Sequence, residues 1–265
     1  MKKYLVIGNP IEHSLSPQLH SYWIKKNNLN AIYDRRLLKK EQLNGVVKEI
    51  RDDKIIGMNV TLPFKKEIIK YIDELTPVAN KTQSVNTVLK RKNKIVGDNT
   101  DSNGFKRALE DTNFEIKNKI ALILGAGGVV PSLILALEKL NISKILISNR
   151  TKEYANNIKK SHPNLEVIDW GETNNSDIVI NATSLGLNKT DAIEIDYSKN
   201  NKKKLFYDLT YNPPKTDFLT NAEQSGNKID NGKMMFIYQA QLSFNLWHNI
   251  EPKIDQKVLD IFKND

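Results

Sequence analysis

Four short stretches hold polar groups of the kind that bind and turn over small molecules. They are Ser14-Leu15-Ser16-Pro17, Asn59-Val60-Thr61-Leu62-Pro63-Phe64-Lys65, Ser84-Val85-Asn86-Thr87 and Asn99-Thr100-Asp101. Hydroxyls and amides in such number suit a polyhydroxylated substrate. One ammonium, Lys65, and one carboxylate, Asp101, stand among them and suit proton transfer. A fifth stretch has different chemistry. The charge-free run Ile120-Ala121-Leu122-Ile123-Leu124 leads into Gly125-Ala126-Gly127-Gly128 and then an apolar, helix-like segment. A strand, a glycine turn and a helix in that order form a dinucleotide cradle: glycine lets the backbone approach a pyrophosphate, and the helix N-terminus supplies N–H donors. Val130 takes the place of the third glycine of the usual fingerprint, and Pro131 falls in the first helical turn, where its missing N–H costs little. The following strand ends Ser148-Asn149-Arg150-Thr151-Lys152, with no carboxylate before Glu153. An acid there would hold a ribose 2′-hydroxyl; a guanidinium, a hydroxyl and an ammonium suit a 2′-phosphate, so NADP is expected over NAD.

These groups need a scaffold, and the patterning supplies one. Strand-prone runs at 3–7, 31–38 and 55–60 alternate with helix-like stretches from Ser16 to about residue 27 and over 41–50. Ser16-Pro17 reads as an N-cap followed by proline at the first helical position. Runs at 86–89 and 95–97 flank a polar turn like a hairpin, and a helix near Asp101–Asp111 leads to a second beginning at Ile120. Further strands are expected at 144–148, 166–168, 177–180 and 205–208. The final stretch reads as helical, with Phe236, Ala240, Phe244 and Trp247 on one face. Strand–helix alternation implies right-handed crossovers and a mainly parallel sheet. The expected fold is therefore α/β in two domains: an N-terminal substrate domain with a mainly parallel sheet, and a C-terminal Rossmann-type domain. The first covers 1–101 and is completed by helices at 233–265; the second covers 102–232. Ligands of open α/β sheets collect at the carboxyl ends of the strands, where the polar stretches lie.

Composition narrows the partners. The 265 residues carry a net charge of +9, yet only six of the 40 basic residues are arginine and the lysines are scattered, which argues against a nucleic-acid footprint. Without cysteine there is no disulfide and no thiolate metal site. The histidines at 13, 20, 162 and 248 lack metal-ligand spacing, and His13 and His20 read as structural. No apolar run approaches the ~18–20 residues of a membrane span. The expectation is a soluble, cytoplasmic protein without nucleic-acid, membrane or metal partners, monomeric or homodimeric.

Read together in order, these motifs resemble the shikimate dehydrogenase family almost end to end. The likeness adds Gly8-Asn9-Pro10, His13 before the serines, Gly57-Met58, Gly104, Asn181-Ala182-Thr183-Ser184-Leu185-Gly186, Asp208-Leu209-Thr210-Tyr211-Asn212-Pro213 and Gln239-Ala240. It implies reversible, NADPH-dependent reduction of 3-dehydroshikimate to shikimate on the way to chorismate and the aromatic amino acids. It also implies Lys65 and Asp101 as the catalytic pair, with Ser14, Ser16, Asn59, Thr61, Asn86, Tyr211 and Gln239 touching substrate. The implied cofactor contacts are Gly125, Ala126, Gly127, Gly128, Val129, Asn149, Arg150, Thr151, Lys152, Thr183, Ser184 and Gly232. Three positions depart from the family's usual pattern: Tyr154 where an arginine is common, Met234 where glycine is frequent, and Ser21 in place of asparagine.

Overall fold

The computed structural model describes residues 1–173, 175–186, 193–198 and 203–263. The chain divides into two compact units, one of residues 1–104 with 237–263, the other of 105–236.

The first unit begins with β1 (Lys2–Gly8), α1 (Ser16–Lys26), β2 (Ala31–Leu37), α2 (Leu43–Arg51) and β3 (Gly57–Val60). It continues with β4 (Glu74–Leu75), α3 (Pro77–Thr82), β5 (Thr87–Arg91), β6 (Lys94–Asp98) and the start of α4 (Asp101–Asp111). The sheet order is β2-β1-β3-β5-β6-β4. β1 runs parallel to β2 and β3, and β4 to β6, while β5 is antiparallel to both its neighbours. Parallel pairing thus predominates, as the strand–helix rhythm requires. Because β5 is reversed, its amino end lies beside the carboxyl ends of β3 and β6. The loops 61–65, 84–86 and 99–101 therefore meet at one edge of the sheet. Leu43, Val46, Val47 and Ile50 form the buried stripe of α2 and pack on Leu5, Ile7, Met58 and Val88. The expected N-cap moves by one residue: Leu15 caps α1, Ser16 is its first residue, and the Ser16 N–H donates to Ser14 Oγ at 3.3 Å.

The second unit contains β7 (Ile120–Leu124), α5 (Val130–Lys139), β8 (Lys144–Ser148), α6 (Lys152–Ser161) and β9 (Glu166–Val167). Next come β10 (Ile178–Asn181), β11 (Leu205–Asp208), α7 (Asp217–Gln224) and β12 (Lys228–Asn231). All pairs are parallel, in the order β12-β11-β10-β7-β8-β9. That is the doubly wound dinucleotide order, with its switch point between β7 and β10. Every residue of α5 from Val130 to Leu137 is buried, so this helix lacks a polar face over that length. α8 (Lys233–His248) starts in this unit and continues into the first, where α9 (Gln256–Asp260) follows. Among the described residues no helix is long and apolar enough to cross a membrane, and no acidic or histidine cluster could hold a metal ion.

Candidate active site

Lys65 and Asp101 meet. Lys65 Nζ donates to Asp101 Oδ2 at 2.7 Å, with the two side chains 13% and 6% exposed. The backbone sets this up: a turn at 61–64 follows β3, and the Lys65 carbonyl accepts from the Val85 N–H at 2.8 Å. Asp101 opens α4, where a carboxylate is favoured by the N-terminal end of the helix dipole. Its second oxygen, Oδ1, accepts from Asn86 Nδ2 at 2.9 Å. An ammonium has three N–H donors. Among the described residues Asp101 takes one of those on Lys65, and no second acceptor is in reach.

Asn86 is fixed in orientation. Its Oδ1 accepts from the Thr100 backbone N–H at 2.8 Å, so Nδ2 must face Asp101, the Thr100 hydroxyl at 2.9 Å and Gln239 Oε1 at 3.4 Å. Gln239 comes from α8, and Ser243 one turn later ties that helix down. Ser243 Oγ donates to the Gln239 carbonyl and lies 2.8 Å from Thr87 Oγ1 and 3.2 Å from Thr100 Oγ1. The network also takes up Asn59, expected to touch substrate. Asn59 Oδ1 accepts from the Tyr33 hydroxyl at 2.6 Å, and Nδ2 donates to the Asn86 carbonyl, Thr87 Oγ1 and Ser243 Oγ. Both ends of its amide are engaged inside the protein, so Asn59 also braces the site. Ser14, Ser16 and Thr61 sit after the carboxyl ends of β1 and β3; Ser16 is buried and the other two are half-buried.

The sequence marks the buried hydroxyl of Thr87, in the Ser84–Thr87 stretch, but not those of Tyr33 and Ser243. Ser243 carried a weak signal, one small polar residue next to the apolar stripe of Ala240 and Phe244 and one turn after Gln239. Tyr33 carried none, since one aromatic in an alternating strand reads as core.

In the second unit the glycine turn opens α5. Gly125 has φ +109°, and a Cβ there would lie 2.9 Å from the Ala182 carbonyl, so the turn and the loop after β10 touch backbone to backbone at the switch point. At Gly127 and Gly128 a Cβ would meet nothing within 4 Å. The fold itself does not need those two glycines. Bare backbone facing open space, at a helix N-terminus, fits a pyrophosphate. Ala126 and Val129 complete the turn, and Val129 is the N-cap. After β8, Asn149 Nδ2 donates to the Thr151 carbonyl at 2.9 Å and shapes the loop. Arg150 and Thr151 are exposed, and no carboxylate pairs with Arg150 among the described residues. Lys152, expected to add charge beside it, pairs with Asp169 Oδ1 at 2.5 Å on the exposed surface.

Thr183 is committed to its own loop: its hydroxyl donates to Asn181 Oδ1 at 2.7 Å and accepts from the Leu185 N–H. Ser184 beside it is exposed. Asn181 Nδ2 in turn donates to Asp208 Oδ1 at 3.2 Å, joining the loops after β10 and β11. Burial raises the Asp208 carboxyl above its usual range, against the pull of bonds from Thr216, Thr210 and Asn181. A Cβ on Gly232 would fall 2.0 Å from the Leu209 carbonyl, and Tyr211 in the same loop packs its ring 4.9 Å from Phe236. Tyr211 thus belongs to the second unit, while the other expected substrate residues belong to the first.

Two family models match the chain, the shikimate dehydrogenase substrate binding domain over residues 6–88 and shikimate / quinate 5-dehydrogenase over 107–226. The shikimate dehydrogenase (NADP(+)) of Pelagibacter ubique is 55% identical over 260 residues, covering 98% of both chains. Among solved structures, shikimate dehydrogenase from Aquifex aeolicus is 33% identical at a TM-score of 0.89, covering 100% of this chain and 98% of that one. Shikimate 5-dehydrogenase from Thermus thermophilus, in complex with NADP(H) and shikimate, is 30% identical at a TM-score of 0.88, covering 99% and 98%.

Proposed function

The chain belongs to the shikimate dehydrogenase family, and from that premise we propose that it interconverts 3-dehydroshikimate and shikimate with NADP, as a cytoplasmic enzyme of chorismate and aromatic amino acid biosynthesis. The observation that carries the reading is the Lys65–Asp101 pair, closed off by Asn86 at a sheet edge lined with hydroxyls and amides.

NADPH, when bound, supplies the hydride. The Gly125–Val129 turn and the N-terminus of α5 would take its pyrophosphate, Arg150 and Thr151 its 2′-phosphate, and the loops holding Thr183, Ser184 and Gly232 its remaining length. Lys65 does the proton work. As the substrate carbonyl becomes an alcohol, negative charge develops on its oxygen, and Lys65 Nζ stabilises that charge and delivers the proton. In the reverse direction the same nitrogen, as an amine, accepts the hydroxyl proton. Asp101 holds Lys65 in place through Oδ2, while Asn86 keeps Asp101 from rotating. Ser14 and Ser16 are assigned to the substrate carboxylate, and Thr61, Asn86 and Gln239 to its hydroxyls.

Initial rates of NADP reduction with shikimate, repeated with NAD and with quinate, test this reading. NADP with shikimate is expected to give the highest kcat/KM, and Lys65→Ala should lower kcat by ~10²–10⁴ with a smaller change in KM. A higher kcat/KM for NAD with quinate, or a Lys65→Ala enzyme as fast as wild type, would overturn it.

A further inference from the structure

Ser243 has no part in the reaction as described so far, yet its hydroxyl is the point at which α8 meets β3 and β5. It lies one turn after Gln239 and is fully buried. Its bonds are directional. A backbone carbonyl only accepts, so the 3.0 Å contact with the Gln239 carbonyl places the Ser243 proton there. A serine on an exposed helix face can make that same bond to the carbonyl four residues earlier, and its lone pairs are then left to water. Here they face protein. Asn59 Nδ2, from β3, donates to Ser243 Oγ at 3.0 Å. With the Ser243 proton already placed, the 2.8 Å contact with Thr87 Oγ1, from β5, is a bond that Thr87 donates. Thr100 Oγ1, just before α4, lies further off at 3.2 Å.

Gln239 depends on that point. Its Oε1 accepts from Asn86 Nδ2 at 3.4 Å, and the same Nδ2 donates to Asp101 Oδ1, beside Lys65. At 3.4 Å the side-chain bond is too long to fix Gln239 by itself. The helix has to deliver it. Burial of Ala240 and Phe244 keeps α8 in the core of the first unit, but apolar packing has no direction. Hydrogen bonds converging on one oxygen do, and they set both the turn of the helix and its depth. Gly104 of α4 touches the same place: a Cβ there would lie 2.8 Å from the Gln239 nitrogen. A second polar tie of α8, from Trp247 Nε1 to the Val88 carbonyl, acts two turns beyond Gln239.

We propose that Ser243 is a positioning residue for substrate: its hydroxyl fixes α8 against β3 and β5 so that Gln239 stands beside Asn86, and the substrate hydroxyls meet two amides at a set spacing. This rests on the functional reading above. A serine that only filled space in the core would affect stability, and its loss would leave the affinity for shikimate unchanged.

The test is Ser243→Ala, alone and combined with Gln239→Ala, read by calorimetric titration with shikimate and by steady-state rates. Alone, it should raise Kd and KM for shikimate about 3- to 10-fold, the loss expected for one buried hydrogen bond, with kcat falling less and KM for NADP unchanged. In the Gln239→Ala background the same substitution should raise them by less than about twofold, because the residue it acts through is gone. Unchanged shikimate affinity in a folded Ser243→Ala enzyme overturns the proposal, as does a full rise in both backgrounds. If Ser243→Ala does not fold, Thr87→Val decides. It keeps the side-chain volume, removes the donor to Ser243 Oγ, and should give the same Gln239-dependent rise; no rise overturns the proposal. Wild-type enzyme that neither binds nor turns over shikimate would instead overturn the functional reading, so the two failures are distinguishable.

Discussion

At the scale of single residues, buried groups separate what spacing can reveal from what only packing can. Lys65 and Asp101 were legible because they stand in specific strings, even though one lysine among so many says nothing alone. Asn59 was half legible. Its string marked it as important, but its amide is consumed by Tyr33, Asn86, Thr87 and Ser243, partners drawn from three places in the chain that no local reading could join. His20 read as structural, and the fold gives that a measurable consequence. Enclosed by Tyr33, Trp23, Phe244 and Trp247, its imidazole is pushed down to about 3 by burial and by His248 nearby. Unfolded, it titrates near 6.5. Above that value both states are neutral; as pH falls below it, only the unfolded chain binds the proton, so stability drops progressively down to the folded value. Between pH 7 and pH 5 His20 alone should remove about 2 kcal/mol. Urea unfolding at the two pH values should therefore show a loss about 2 kcal/mol larger in wild type than in His20→Phe. Equal losses would mean that His20 is not held neutral.

Elements differ in how plainly the sequence marks them, for reasons of length and burial. β7, β8 and β11 announced themselves because strands buried on both faces are continuous apolar runs. The two-residue β4 and the half-buried β12 carry too few apolar positions to stand out. α7 has a cap, since Thr216 accepts from the Leu219 N–H, but its eight residues give barely two turns of periodicity to mark it in sequence. The glycine turn is the element on which fold and function can be separated by experiment. Gly125 is needed by the backbone, for its φ of +109° and for the Ala182 carbonyl beside it, whereas Gly127 and Gly128 face open space. Gly125→Ala should lose about 1–3 kcal/mol of stability, since it adds both αL-side strain and a close contact. Gly127→Ala should leave Tm within a degree or two and still raise KM for NADP by at least about tenfold, because the new methyl occupies the space assigned to the pyrophosphate. Thermal melts and NADP titrations of both variants check this. Normal NADP affinity in Gly127→Ala would remove the turn from the cofactor site.

For the whole molecule, the charge of +9 narrows to two cations with assigned work, Lys65 and Arg150, within a surface where other basic side chains pair locally, as Arg51 does with Asp73 and Lys90 with Asp53. The division of the chain makes the sharper prediction. The second unit is one continuous segment, 105–236, whereas the first is made of two, and the later one is part of its core. Ile237, Ala240, Phe244 and Val258 are fully buried, and Trp247 lies so close to Gly57 that a Cβ there would meet the indole at 2.4 Å. Trp247 Nε1 donates to the Val88 carbonyl, Trp23 Nε1 to the Lys253 carbonyl, and the Tyr22 hydroxyl to Asp255. Large apolar side chains contribute about 1.5–3 kcal/mol each on burial, so losing several together approaches the roughly 5–15 kcal/mol by which a domain is stable at all. A chain ended after Phe236 should therefore keep a folded 105–236 segment and lose the fold of 1–104, with no turnover. Limited proteolysis followed by mass measurement should recover a fragment spanning about 105–236, protected further by NADP through the Gly125 turn and Arg150. Equal digestion of both segments, or a survivor that NADP does not protect, would mean that neither the second unit's independence nor its cofactor site is as assigned.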